Sequence, residues 1–321
     1  MATAMMAESL QDAGQVVTER ALCLCLTIRR PGNSAKIETE RVVPSGLLAS
    51  DDDAVVTDNR GIDRGSLRVS KQLMQAEAMR VVLRLDSEAS RWINDRTLPS
   101  LFKRGVYLLP LSLLEKVDEY LQTYLTRREA AIDAFLAEYP AIIDEARQRL
   151  GPVFDAEDYP DAESMRRLFS VRYRYVTIAP PSSDSISVAM FKREQAKAAE
   201  DAERLLDVCR AVLREELRDM TAAMAERLKP DEYGKRKRVI RESALPSFRE
   251  ALGLLCDRDI ADDAQLRELV NKAECVISGV DCDDLKDFPQ LRERVRTEFA
   301  DLTQQACRLV EDVPTRAVDI D

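Results

Sequence analysis

The pattern of apolar positions is most regular between Asp184 and Leu228, a stretch that contains no Gly and no Pro. It is rich in Ala, Leu, Glu, Arg and Met, which have the highest helix propensities. Its apolar residues recur every three or four positions, the spacing of one helix face and nearly that of a coiled coil. This apolar stripe consists of Leu206, Cys209, Leu213, Leu217, Met220, Met224 and Leu228. The sequence therefore predicts one helix, roughly 65 Å long at about 1.5 Å per residue.

A helix of this length with one apolar stripe needs a partner that covers the stripe. The segment Leu111–Leu150 has similar length and spacing, interrupted once by Arg128. We expect this segment to be its antiparallel partner, and a second subunit or another protein is the alternative. Pro140 is expected to kink or break the segment's helix, and Gly151 with Pro152 is expected to end it.

Three short segments have the pattern of strands. Residues alternate in Ala21–Arg29 and in Leu168–Ile178, and Gly105–Pro110 is a short apolar run. Elsewhere the pattern is helical, with two separate helices predicted at Ser70–Leu85 and Asp86–Asp95 and three more after the long helix. The predicted fold class is mainly α with a small β-sheet (α+β), with a long antiparallel helical hairpin or coiled coil projecting from a small α/β base.

The same pattern divides the chain into three regions. Residues 1–110 are predicted to form an N-terminal α/β base, residues 111–228 a long helical hairpin with an intervening strand at 168–178, and residues 229–321 a C-terminal acidic helical region. From Ala251 to Asp321 there are 9 Lys and Arg against 17 Asp and Glu, which gives −8 of a total net charge of −10. Such acidity is not typical of a general nucleic-acid-binding protein, which is usually basic.

The chain of 321 residues contains no histidine. This excludes Ser-His-Asp and Cys-His catalysis, HExxH metalloprotease chemistry and Cys/His zinc fingers. The chain also has no GxxxxGKS/T P-loop, no GxGxxG and no CxxC. The sequence therefore predicts no cofactor and no metal site, and it does not predict an enzyme. An enzyme that uses only carboxylates, Ser and Lys, or a cysteine stays a third hypothesis.

Two clusters have both a functional and a structural interpretation. The acidic run that begins at Asp281 is similar to the start of a calcium loop, but Lys286 and Arg292 stand where an EF-hand needs Gly and Glu. We interpret it as a helix start whose carboxylates complement the helix dipole. Cys23 and Cys25 share a strand face, and we interpret them as packing or edge residues, reduced as in a cytoplasmic protein. No apolar run approaches 18 residues, so no membrane partner is expected.

Two sets of residues are candidates for binding a partner. The first belongs to the apolar stripe and consists of Leu206, Leu213, Leu217, Met220 and Met224. The second is a basic run in an otherwise acidic protein, which can contact nucleic acid or an acidic protein surface. This basic run consists of Lys235, Arg236, Lys237, Arg238 and Arg241. Its structural interpretation is a solvated loop and a first helical turn.

Two blocks carry a family resemblance: the segment Pro99–Pro110 (PSLFKRGVYLLP), and the strand Phe169–Ile178 followed by Ala179, Pro180 and Pro181. With the long helices between and after them, residues 21–228 resemble an uncharacterised bacterial and phage family of unknown function. Members of that family are often encoded beside a MoxR-type AAA+ ATPase and a cobaltochelatase-like protein with a von Willebrand factor A domain. The resemblance implies a non-enzymatic third component, an adaptor or substrate of an ATPase machine on mobile elements or in defence loci.

The leading hypothesis from the sequence is a non-enzymatic interaction or scaffold protein of the cytoplasm. Its expected partner is the AAA+ ATPase, the von Willebrand factor A protein or a second copy of this chain. The alternative is a nucleic-acid-associated factor of a mobile element that uses the basic segment 235–241.

Overall fold

The computed structural model describes residues 13–37, 69–74, 77–100, 102, 105–178, 187–230 and 241–311. These residues are mainly helical with a small antiparallel sheet, which confirms the predicted fold class. The chain divides into two compact units. Unit 1 consists of Met1–Cys25, Ile93–Val117 and Arg174–Asp321, and unit 2 of Leu26–Trp92 and Asp118–Tyr173. Each unit is built from separate stretches of chain, so this division differs from the three consecutive regions proposed from the sequence.

The helices are α1 (residues 13–20), α2 (Glu77–Asn94), α3 (Leu114–Leu150), α4 (Ala162–Leu168), α5 (Val188–Arg227), α6 (Ala244–Arg258), α7 (Ala264–Ile277), α8 (Cys282–Asp287) and α9 (Pro289–Glu311). The strands are β1 (Ala21–Arg29), β2 (Ser34–Ile37), β3 (Val69–Gln72), β4 (Leu98–Pro99), β5 (Val106–Pro110) and β6 (Ser170–Val176). Short 3-10 turns occupy Leu111–Leu113, Gly151–Val153 and Ala156–Asp158.

The main sheet has the strand order β4-β5-β1-β6, and β2 pairs with β3 in a separate two-stranded sheet. β1 and β5 are antiparallel, with Ala21 opposite Pro110 and Cys23 opposite Leu108. Side chains alternate along a strand, so Cys23 and Cys25 point to the same face. Both are free thiols, and Cys23 is buried. The interpretation of Cys23 as a packing residue is confirmed.

The core of unit 1 is built along α5, whose apolar stripe is buried in it. α9 makes the most extensive contact with α5, and α6 and α7 also pack against it. α9 fits this role because its own apolar residues recur at three-four spacing and form a matching stripe. The buried residues of this stripe are Val295, Phe299, Leu302 and Ala306.

α9 runs antiparallel to α5. Arg292, near the start of α9, donates to the carbonyl oxygen of Leu228, whereas Leu309, near its end, accepts from Arg214. A pair of long antiparallel helices therefore exists, but its members are α5 and α9. The expectation that Leu111–Leu150 covers the stripe is wrong, because a later helix with the same spacing occupies that position.

A network of hydrogen bonds around one buried arginine joins α5, α7 and α9 in unit 1. The buried Arg214 donates from Nε to Asp263 Oδ2 at 2.6 Å, from Nη2 to Gln265 Oε1 at 2.9 Å and from Nη1 to the Leu309 carbonyl oxygen at 3.0 Å. Asp263 also caps α7 by accepting from the backbone N–H groups of Gln265 and Leu266. One arginine of α5 therefore links the start of α7 to the end of α9.

The hydrogen bonds of Asp263 change its titration. Burial by itself raises the pKa of this carboxyl group, but the bonds from Arg214, Leu266 and Gln265 outweigh burial, and its pKa is lowered. A carboxyl group whose pKa is lower in the folded state stabilises the fold above its unfolded pKa. That contribution is lost as the pH falls through the folded pKa.

The core of unit 2 gathers residues of α2, α3 and α4 with the chain around β3. α3 continues through Pro140, so of the two expected effects of this proline, a kink or a break, the break does not occur. Phe135, Tyr139 and Ile142 are buried on both sides of the proline and hold the helix in one piece. α3 ends at Leu150, as predicted, and the next residue is a glycine with a φ of +49°.

A buried ion pair joins α2 to α3 within unit 2. Asp86 Oδ1 accepts from Arg128 Nε at 2.8 Å and from the Tyr124 hydroxyl at 2.7 Å, and Arg128 Nη2 donates to the Arg29 carbonyl oxygen at 3.0 Å. The side chains of Arg128 and Asp86 are only 4% and 5% exposed. The predicted helix boundary at Asp86 is wrong, because this residue lies inside α2 and its carboxylate is paired. The predicted helix from Ser70 is also wrong at its start, where β3 pairs with β2.

We expect the substitution Arg128→Met to lower the free energy of unfolding of unit 2 by about 3–5 kcal/mol, because it leaves a buried carboxylate without its cation. Trp92, the single tryptophan, lies in unit 2, so its fluorescence during urea denaturation reports on this unit. The control is Arg127→Met, which removes an exposed arginine 3.9 Å from Glu88 and should change little. Equal effects of the two variants would contradict the role of the buried pair.

The lowered pKa of Asp263 predicts an acid-sensitive contribution to the stability of unit 1. The wild-type protein should lose this contribution as the pH falls below about 4, the ordinary pKa of an aspartate. Asp263→Asn should be less stable at neutral pH and should depend less steeply on pH in that range. Far-UV circular dichroism during denaturation at several pH values measures both effects. Asp301→Asn, at an exposed position of α9, is the control, and it should keep the wild-type slope.

Candidate anion-binding site

The stripe residues proposed to bind a partner lie in the core of unit 1. Leu206, Leu213, Leu217 and Met224 are buried, and Met220 is partly buried against the same core. α9, α6 and α7 contact the helix that carries them. These side chains therefore stabilise their own unit and are not presented to a foreign helix.

The basic run is only partly placed. Lys235, Arg236, Lys237 and Arg238 lie outside the described residues, whereas Arg241 is described and exposed. The Arg241 carbonyl oxygen accepts from the N–H of Ala244, the first residue of α6, at 2.9 Å. This turn brings Arg241 to the same cavity as Arg227, the last residue of α5.

The cavity has a volume of about 500 Å³ and lies between the end of α5, the start of α6 and α8. Its wall is apolar, and its rim is basic and hydroxylic. The wall consists of Met224, Leu228, Ala244, Leu245 and Leu285, and the rim of Arg227, Arg241, Ser243 and Ser247. Four wall residues (Met224, Leu228, Leu245 and Leu285) belong to the buried core of unit 1, so the folded unit itself forms this wall.

In the described part of the chain, the last carbonyl oxygens of α5 are bound by Arg292 and not by the arginines of the rim. The carbonyl oxygens of Leu228 and Lys229 at the end of α5 accept from Arg292 at 2.9 and 2.6 Å. Arg292 therefore supplies the cation that the last carbonyls of a helix favour. On the opposite side Ser243 is the N-cap residue of α6, and its hydroxyl makes no capping bond.

Arg227 and Arg241 have no carboxylate partner among the described residues. A guanidinium group binds carboxylate or phosphate through parallel hydrogen bonds, so two such groups at one cavity, with no carboxylate beside them among the described residues, favour an anionic ligand. Other arginines of unit 1 are already paired, as in Arg214–Asp263, Arg258–Glu216 and Arg267–Asp259.

The acidic run from Asp281 is a helix start, as predicted. Asp281 accepts from the N–H of Asp284, and the Asp284 side chain accepts from the N–H of Asp281, which is a capping box. Asp283 lies 2.7 Å from the Lys286 ammonium group. Across the described ranges, no group of three or more Cys, Asp and Glu is placed to hold a metal ion.

The buried thiols of Cys23 and Cys209 are poor nucleophiles. Burial, followed by the nearby Cys25, raises the pKa of Cys23 to about 11, and burial raises the pKa of Cys209 to about 12. A thiol of such a pKa carries little thiolate at neutral pH. Both residues serve as small apolar packing groups.

A comparison with protein-family models, curated proteins and solved structures finds no match to this chain. In the part of the chain that the structure describes, no helix carries an apolar stretch long enough to cross a bilayer.

Sequence reasoning identified Arg241 but missed Arg227, Ser243 and Ser247. Arg227 is one of many charged residues on α5, and its position in the sequence gives no sign that it faces a cavity. The sequence does contain a weak indication of the site, because a basic run directly precedes a helix start and follows the basic end of the long helix.

We expect Leu213→Ala to lower the free energy of unfolding by about 2–5 kcal/mol, since Leu213 is fully buried in the core of unit 1. Far-UV circular dichroism during chemical denaturation measures the loss. Glu215→Ala changes an exposed residue of the same helix and should stay within about 0.5 kcal/mol of the wild type. An unchanged stability of Leu213→Ala would contradict the assignment of the stripe to the core.

Proposed function

We propose that this protein is a non-enzymatic interaction protein that binds an anionic partner at the cavity between α5 and α6. The observation that supports this most directly is that Arg227 and Arg241 line one cavity and that neither has a carboxylate partner among the described residues. The basic run 235–238 lies between them in the sequence and adds four cations. In a protein with a net charge of −10, this concentration of positive charge favours a specific anionic contact.

The resemblance of residues 21–228 supplies the setting of this proposal. The protein acts as an adaptor or substrate of a MoxR-type AAA+ ATPase and a von Willebrand factor A protein, on mobile elements or in defence loci. The described cysteines are free thiols, which supports a place in the reducing cytoplasm.

A second candidate function is a nucleic-acid-associated factor of a mobile element. It is favoured by the basic run, because residues 235–241 contain five cations and no acidic residue. Phosphate contacts made by such a run weaken steeply as the salt concentration rises. The acidity of the whole chain favours the protein partner over this alternative.

The first experiment mixes the purified protein with the ATPase, with the von Willebrand factor A protein, and with both, and measures complex mass by size-exclusion chromatography with light scattering. We expect a complex with at least one of them that weakens when Lys235, Arg236, Lys237 and Arg238 are all changed to Glu. The same run on the protein alone shows whether a second copy of this chain is the partner.

The matched control reverses four exposed cations elsewhere on α5, namely Lys192, Arg193, Lys197 and Arg204. It makes the same change in net charge and should leave the complex intact. Equal loss in both variants would show a general charge effect and contradict the assigned site. Binding of duplex DNA or RNA at low salt, measured by fluorescence anisotropy, with no protein complex formed, would favour the second candidate instead.

A further inference from the structure

We propose that the cavity at the end of α5 takes a short acidic peptide segment in which an apolar side chain lies next to a carboxylate. This inference rests on the proposed function and names the chemistry of its partner. Two arginines that have no carboxylate partner in the described part of the chain lie around an apolar wall within unit 1.

The apolar wall defines one half of the ligand. Met224, Leu228, Leu245 and Leu285 contribute aliphatic atoms to a cavity of about 500 Å³. A simple inorganic anion makes no apolar contact with these side chains, whereas an aliphatic side chain of the ligand can pack against them and lose its own contact with water. Burial of a Leu-sized side chain contributes substantially to binding free energy. The wall therefore selects a ligand that carries an apolar group.

The two arginines define the other half of the ligand. Arg227 comes from the last turn of α5 and Arg241 from the turn before α6, so they approach the cavity from two different elements. The hydroxyls of Ser243 and Ser247 lie on the same rim and can donate to an anionic oxygen. In a ligand with a carboxylate next to an apolar side chain, the carboxylate can accept hydrogen bonds from the rim and the apolar side chain can pack against the wall.

The lining residues favour a peptide over a nucleic acid. Single-stranded nucleic acids bind largely by stacking their bases on aromatic side chains, and the residues that line this cavity are aliphatic, hydroxylic or basic. The net charge of −10 also opposes a long polyanion more than a short acidic segment. The volume suits one or two side chains, within the range of about 300–1,000 Å³ typical of ligand pockets.

The walls of the cavity are held by contacts outside it. Arg292 of α9 fixes the end of α5 through the carbonyl oxygens of Leu228 and Lys229. The Cys282 thiol of α8 donates to the Glu242 carbonyl oxygen at 3.4 Å, next to Arg241. A site that is formed before binding loses less conformational entropy when its ligand enters.

The probe is a fluorescein-labelled peptide of aspartate and glutamate residues around one central leucine, and its binding to the full chain is measured by fluorescence anisotropy. Arg227→Met and Arg241→Met should each weaken binding about tenfold or more, since each removes charge-assisted hydrogen bonds. Replacing the leucine of the peptide with serine should weaken binding by a similar factor.

Two further variants test whether a loss of binding arises at the cavity itself and not from a change in overall charge or from misfolding. Ser247→Trp keeps both arginines but fills the cavity from its rim, and it should abolish binding. Arg204→Met removes an exposed arginine of α5 that pairs with Glu200, and it should bind the peptide like the wild type. Circular dichroism spectra and melting temperatures show whether each variant is folded.

Binding that is independent of the leucine, or that survives Ser247→Trp in a folded protein, would overturn the inference, because the cavity would not be used. An oligonucleotide of equal charge that displaces the peptide and binds more tightly would overturn it as well. A partner protein that binds when no acidic peptide does would also reject this inference, while leaving the proposed function standing. The reverse result, a bound peptide with no protein complex, would reject the proposed ATPase setting alone.

Discussion

The antiparallel contact between α5 and α9 is the interaction on which unit 1 depends. It buries the apolar stripe of the longest helix, and burial of each large aliphatic side chain contributes about 1.5–3 kcal/mol at most. The same contact positions Arg292, which satisfies the last carbonyl oxygens of α5. The end of α5, and with it Arg227, is therefore held where α6 begins. The geometry of the candidate site follows from helix packing elsewhere in the unit.

Among the described residues, each unit contains a charged pair whose two side chains are both buried, and this pair selects a particular arrangement of its helices. Arg214 pairs with Asp263 in unit 1, and Arg128 pairs with Asp86 in unit 2. Such pairs add little net stability over apolar residues of the same size, because both charges must lose their water. A misaligned packing would leave each charge buried and alone, which is far more costly. Apolar stripes permit several alignments, and the charged pairs favour one.

Periodicity predicted the helices and strands well where packing follows one continuous face, as in α5, α9 and β6. It could not choose the partner of α5, because α3 and α9 carry equally suitable spacing. Asp86 and Arg128 show a second limit. Each interrupts an apolar pattern, so one was assigned to a helix boundary and the other to an irregularity. The structure shows that Asp86 and Arg128 form an ion pair with each other. The apolar spacing around either residue alone cannot indicate this contact, because the two residues lie on different helices.

The cavity was beyond sequence reasoning for the same physical reason. Arg227 and Arg241 belong to different elements, and only the turn before α6 brings them to one opening. The acidity of the rest of the chain then limits what this opening can hold. In physiological salt, charges interact over about 8 Å, so a short carboxylate segment responds mainly to the two arginines, whereas a long polyanion also meets the surrounding Asp and Glu residues. A basic site in an acidic protein therefore favours small acidic segments by excluding larger anions.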